Sequence, residues 1–140
     1  MNATDTRLAP MPPFDSKKLS GPPDVIAPDG SEVRILCATA RCSTALFTLA
    51  AGMTAKAVTH RTVDEIWYVI DGDGQLRRRF AGYESVITLG PGISLTIPTG
   101  TSFQFRNDGA TPLQIVAVTT PSWPGEGEAL AVEGKWPPTV

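Results

Sequence analysis

From Glu32 onward, short runs of valine, isoleucine, threonine and aromatic residues alternate with clusters of glycine, proline and aspartate. β-branched and aromatic side chains suit a pleated, half-buried surface, and the clusters between them supply turns. The pattern predicts strands at Glu32 to Cys37, Thr44 to Leu49, Ala55 to His60, Glu65 to Ile70, Gly74 to Phe80, Glu84 to Leu89, Ser94 to Ile97, Ser102 to Arg106 and Leu113 to Thr119. Neither an internal repeat nor a long helix is seen. So many short strands in one domain predict an all-β sandwich or barrel. Asp71-Gly72-Asp73-Gly74 tolerates positive φ, so its flanking strands are expected to form a hairpin. The same expectation covers Gly90-Pro91-Gly92 and Asn107-Asp108-Gly109.

The two ends differ from this middle. Six of the thirteen prolines fall between Pro10 and Pro28, which disfavours regular ladders and predicts an extended arm over residues 1–30. The barrel is expected over 31–120. Residues 121–140 form a proline- and glycine-rich tail whose Trp123 and Trp136 are expected to dock over the barrel mouth or across a subunit interface, since each can bury about 150–250 Å². At 140 residues the chain is long enough to bury a core without disulfides or a structural metal.

Composition narrows the partners. Twelve basic and fourteen acidic residues give a net charge of −2, with no block of like charge to attract nucleic acid or an anionic membrane. Arg77-Arg78-Arg79 is the only basic run, and strand alternation sends Arg78 to the face opposite its neighbours. The amino terminus lacks a signal-peptide pattern and no apolar run approaches the roughly 20 residues that span a bilayer, so a cytoplasmic location is expected. Asn2-Ala3-Thr4 matches a glycosylation pattern that has no meaning there. Cys37 and Cys42 are too few for a disulfide framework and read as reduced packing residues.

Two separated segments carry motifs. In the first, Gly52, His60, Glu65 and Gly72 fit the spacing glycine, five residues, histidine, one, histidine, three or four, glutamate, six, glycine, with Val58 in place of the first histidine. In the second, Gly92, Pro98, Gly100 and Asn107 fit glycine, five, proline, one, glycine, two, histidine, three, asparagine, with Phe103 in place of the histidine. These segments resemble the two motifs of the cupin superfamily. The resemblance implies a double-stranded β-helix jelly-roll barrel. In metal-binding cupins the three histidines and the glutamate hold iron, manganese, nickel, zinc or copper. Here Val58 and Phe103 cannot coordinate, and His60 and Glu65 alone fall short of the usual three or four ligands. No cofactor is expected beyond a weakly held divalent metal.

If His60 and Glu65 point into the barrel, strand alternation also sends Lys56, Val58, Trp67, Val69, Phe103 and Phe105 inward. Arg78 would join them, sharing a face with Leu76 and Phe80, both of which read as interior residues. A mainly apolar cavity with a few convergent polar groups suits a small organic molecule. Burial would push the Glu65 pKa up, a charged imidazole would oppose that, and the pair could exchange a proton near neutral pH. Such acid–base work serves an isomerase or lyase, and the resemblance allows it, since metal-free cupins acting on sugars are known. Two further readings stand beside this one: a non-catalytic binder or sensor, and a metal-dependent oxygenase with an incomplete ligand set.

Each residue also has a plainer reading. His60 and Glu65 can be a satisfied buried pair, Lys56 a solvated strand end, and Trp67, Phe103 and Phe105 ordinary core. Asp64 should face the rim or solvent. A phosphate loop or nucleophile elbow is absent. A homodimer is expected from the resemblance and from the need to cover sheet edges and the tail tryptophans.

Overall fold

The structure, a computed structural model, describes residues 13–140. The first twelve residues of the expected arm, with Pro10 and the Asn2 pattern, lie outside the described residues. The described residues form eleven strands and no helix: β1 Val25–Ile26, β2 Glu32–Ala38, β3 Ser43–Leu49, β4 Val58–His60, β5 Asp64–Asp71, β6 Gly74–Phe80, β7 Tyr83–Leu89, β8 Ser94–Ile97, β9 Ser102–Asn107, β10 Leu113–Thr120 and β11 Ala129–Ala131. Accordingly, no helix among them is long and apolar enough to cross a membrane.

Two antiparallel sheets face each other, one in the order β1-β2-β3-β10-β5-β8 and the other β11-β4-β9-β6-β7. Their inner faces hold the core, in which Trp67, Leu76, Ile97, Phe103, Phe105, Leu113 and Ile115 are fully buried. Alternation along β5 is regular, with Glu65, Trp67 and Val69 inward and Ile66, Tyr68 and Ile70 outward. This is the expected all-β jelly roll.

Three expected hairpins are corrected. β5 pairs with β10 and β8, whereas β6 pairs with β9 and β7 in the other sheet. The turn at Gly72 therefore carries the chain between sheets, and so do the turns before β8 and β10. A glycine-rich turn supplies a change of direction but not a partner; burial of both inner faces decides the pairing. Gly72 has φ +91°, and a Cβ there would lie 2.6 Å from the Pro112 carbonyl oxygen and Leu113 Cα. The two-residue hairpin is instead Ala81-Gly82, at φ 50° and 80°, joining β6 to β7.

The ends are less irregular than expected. β1 adds an edge strand to β2 from within the expected arm, and β11 pairs with β4 from within the expected tail. Trp136 docks outside the barrel, with the Arg106 guanidinium 4.3 Å from its ring centroid. Gln104 holds that segment: its Nε2 donates to Ala55 O and Trp136 O, and its Oε1 accepts from the Lys135 and Trp136 amides. Phe80, read as interior, is 52% exposed because it ends β6 at the rim beside the hairpin. Cys37 and Cys42 are free and half-buried.

The motif asparagine is structural. Asn107 Nδ2 donates to Leu49 O and Thr111 O, and its Oδ1 accepts from the Gly109 amide. This buried side chain uses all its principal hydrogen-bonding groups to lock the end of β9 against β3 and the following turn.

Candidate functional site

His60 ends β4, and Glu65 lies at the start of β5 with Trp67 two residues further along the same inward row. That i, i+2 spacing lets the Trp67 indole Nε1 donate to Glu65 Oε1 at 2.8 Å, which fixes the carboxyl group. Val58 on β4 faces Phe103 on β9, so the two apolar residues at the altered motif positions sit side by side. The His60 ring is held edge-on between Phe103 and Trp123, at centroid distances of 5.2 and 5.0 Å. Its Nδ1 is buried without a hydrogen-bond partner and lies 3.8 Å from Glu65 Oε2.

These groups form part of the lining of a cavity of about 580 Å³. β1 and the turn after it close one side, β2 and β3 contribute Val33, Ile35 and Phe47, and Trp123 and Ala129 from the tail close another. Asp29, Thr119 and Glu126 add polar groups.

Burial sets the charge states. It pushes Glu65 up to about 7, against the Trp67 indole bond, with the Asp29 charge adding to the rise. It pushes His60 down to about 4, outweighing the nearby Glu128 carboxylate. At neutral pH the imidazole is therefore uncharged, and its 3.8 Å contact with Glu65 is not an ion pair. Burial also raises Asp29, although the Ser31 amide and hydroxyl donate to its Oδ1 at 2.9 and 2.7 Å. Glu128 shows the opposite balance. Burial would raise its pKa, but donors from Thr62 and the Val63 amide hold it below the ordinary range.

Of the residues read from the sequence, Val58, His60, Glu65 and Phe103 line this cavity. Trp67 and Phe105 lie behind it in the core, packed edge to face at 5.1 Å. Lys56 is exposed, because β4 begins only at Val58 and alternation does not extend back to it. Arg78 shares the inward register of Leu76 but lines a separate hollow with Phe80 and Tyr83, and its Nη1 donates to Thr96 O at 2.9 Å. Asp64 is exposed and accepts from the Thr99 amide and hydroxyl.

Asp29, Phe47 and Thr119 were not legible as site residues, and Trp123, read only as docking over the barrel mouth or across a subunit interface, lines the cavity. Asp29-Gly30-Ser31 carries a turn signal, an aspartate bonding the amide two residues on. Its place in the cavity comes from β1 folding back on β2. Thr119 is the cross-strand partner of Glu65, a pairing no local pattern reveals.

The donor set does not fit a transition metal. Val58 and Phe103 offer no lone pair, and no group of three histidine, cysteine, aspartate or glutamate side chains is placed to hold an ion among the described residues.

The chain belongs to the cupins: the family model described as Cupin domain matches residues 45–119, more than half of the sequence. Solved structures share the fold. The TT1209 structure from Thermus thermophilus superimposes with a TM-score of 0.58 at 23% identity, covering 70% of this chain and 90% of that one. A double-stranded β-helix protein from Klebsiella pneumoniae gives 0.62 at 18%, covering 74% and 85%. Oxalate decarboxylase from Bacillus subtilis gives 0.66 at 18%, covering 81% of this chain and 30% of that one. No curated protein matches the sequence.

Proposed function

We propose that the cavity binds a small organic molecule and that Glu65 and His60 move a proton on it, as an isomerase or lyase requires. The observation that carries this reading is Glu65, held near a pKa of 7 beside an uncharged imidazole with an unpartnered nitrogen, in the wall of a 580 Å³ cavity. A carboxyl group titrating near 7 is populated in both forms and serves as acid or base. Neutral His60 can take or return the same proton across the 3.8 Å gap once a ligand atom bridges it. Trp67 acts by orienting Glu65, while Val58 and Phe103 form the apolar wall. General acid–base work of this kind contributes about 10²–10⁴-fold to a rate.

The test begins with thermal-shift screening of small carbonyl compounds, polyols and amines. Each binder is then incubated with enzyme in D2O and followed by proton NMR. Exchange at a ligand carbon that disappears in Glu65→Gln supports proton transfer. Binding without exchange or turnover leaves a non-catalytic binder.

The reading extends to a homodimer. Ile66, Tyr68 and Ile70 form an outward row on β5, each about half exposed, with Val116 and Val118 of β10 beside them. A row of this kind is suited to burial against a second copy.

A further inference from the structure

We infer that the ligand of this cavity is an organic amine, an apolar body carrying one protonated amino group held between His60 Nδ1 and Glu65 Oε2. The inference rests on the small-molecule reading above and names the chemical class of the ligand.

The charge inventory comes first. Asp29, Glu65 and Glu126 line the cavity, and no lysine or arginine does so among the described residues. Lys56, the cation nearest in sequence that was expected inside, is exposed. His60 is uncharged at neutral pH. An anionic ligand would leave water for a space lined by carboxyl groups, with the charge of exposed Lys56 acting only on Asp29 from outside the lining, whereas an ammonium group finds partners there.

The second observation is geometric and independent of charge counting. His60 is 6% exposed and lines the cavity, yet its Nδ1 is buried with no partner. Nδ1 and Oε2 stand 3.8 Å apart, too far to bond to each other. Nδ1 is covered in this conformation, so one nitrogen atom can lie about 2.9 Å from both only after a small tilt of the His60 ring toward the cavity. A primary ammonium has three N–H bonds and can serve both acceptors in the tautomer that carries the imidazole proton on Nε2. A hydroxyl has one proton and can donate to only one of them; it serves both only by accepting from protonated Glu65, which is the minor form at pH 7.5.

Asp29 adds a second carboxyl group on the same cavity. The Ser31 amide and hydroxyl both donate to its Oδ1. Around these acceptors Phe47, Phe103 and Trp123 supply apolar and aromatic walls, which suit the ligand body and favour a nearby cation.

The experiment uses three ligands of one shape, 1-naphthylmethylamine, 1-naphthalenemethanol and 1-naphthoate, titrated calorimetrically into the full chain at pH 7.5. The amine should bind at least about ten-fold tighter than the alcohol, and naphthoate weakest. Glu65→Gln should remove most of the amine's advantage and leave the alcohol unchanged, and Asp29→Asn should reduce it in the same direction. Variant folding is checked by circular dichroism, and the ligand ranking on the unaltered protein stands even if a variant fails to fold. An alcohol or naphthoate that binds as tightly as the amine overturns the amine inference and leaves the small-molecule reading in place. If none of the three binds at millimolar concentration, the inference falls. The small-molecule reading falls with it only if the wider thermal-shift screen is also blank.

Discussion

The Trp67 indole Nε1 donates to Glu65 Oε1 at 2.8 Å from two positions along the same strand. One of the two carboxyl oxygens is thereby committed to the core, and the other is left facing His60 and the cavity. The bond also opposes the rise in the Glu65 pKa that burial imposes.

Trp67→Phe keeps most of the ring and removes the donor. The Glu65 pKa should move above its present value of about 7, read by carbon-13 NMR titration of the labelled carboxyl. Stability should fall by about 1–2 kcal/mol, from lost hydrogen bonding and packing. An unmoved titration would mean that the indole does not hold the carboxylate.

Two opposed groups, Glu65 and His60, contribute to the pH dependence of stability beside Asp29, which burial raises, and Glu128, which its donors lower. Glu65 titrates near 4.5 when exposed and near 7 in the fold, so its contribution is present below 4.5 and is lost as pH rises through 7. His60 titrates near 6.5 when exposed and near 4 in the fold, so its contribution is present above 6.5 and is lost as pH falls through 4. Between about 4.5 and 6.5 the two slopes cancel. Glu65→Gln removes one of them, and the variant should lose stability on acidification from 6.5 to 4 by on the order of 1 kcal/mol per pH unit relative to the unaltered protein. Urea denaturation across this range checks it; parallel curves would contradict the assignment.

The altered motif positions can be restored. Val58 and Phe103 face each other across β4 and β9 beside His60 and Glu65, so Val58→His with Phe103→His should recreate a four-ligand set. Added zinc should raise the Tm of the double variant by several degrees, as expected for a ligand that binds only the folded state. The unaltered protein should shift far less. Equal shifts in both would show that the missing ligands do not govern metal affinity.

Asn107→Asp tests the motif asparagine. It replaces the amide that bonds Leu49 O and Thr111 O with an acceptor facing two carbonyls. The cost should be about 2–4 kcal/mol by chemical denaturation. A loss below about 0.5 kcal/mol would remove Asn107 from the structural framework.

Self-association is checked by light scattering. The chain should run at twice its 14.9 kDa, and Tyr68→Arg, which places charge in the outward β5 row, should shift it toward monomer. A monomeric unaltered protein would end the dimer proposal.

The β class, the strands from β2 to β10 to within a few residues, and the motif that sets His60 and Glu65 in the barrel are legible in the order of residues alone. These depend on period-two alternation and fixed local spacing, which a few neighbouring residues encode. Alternation failed where regular strand geometry failed, at Lys56 before β4 and at Phe80 on the rim. The tertiary structure alone decided that the glycine turns join different sheets, that Asp29 and Trp123 reach the same cavity as Glu65, and that Arg78 does not. Those relations come from pairing between strands far apart in sequence and from the burial of both sheet faces at once, and no local run of residues carries that information.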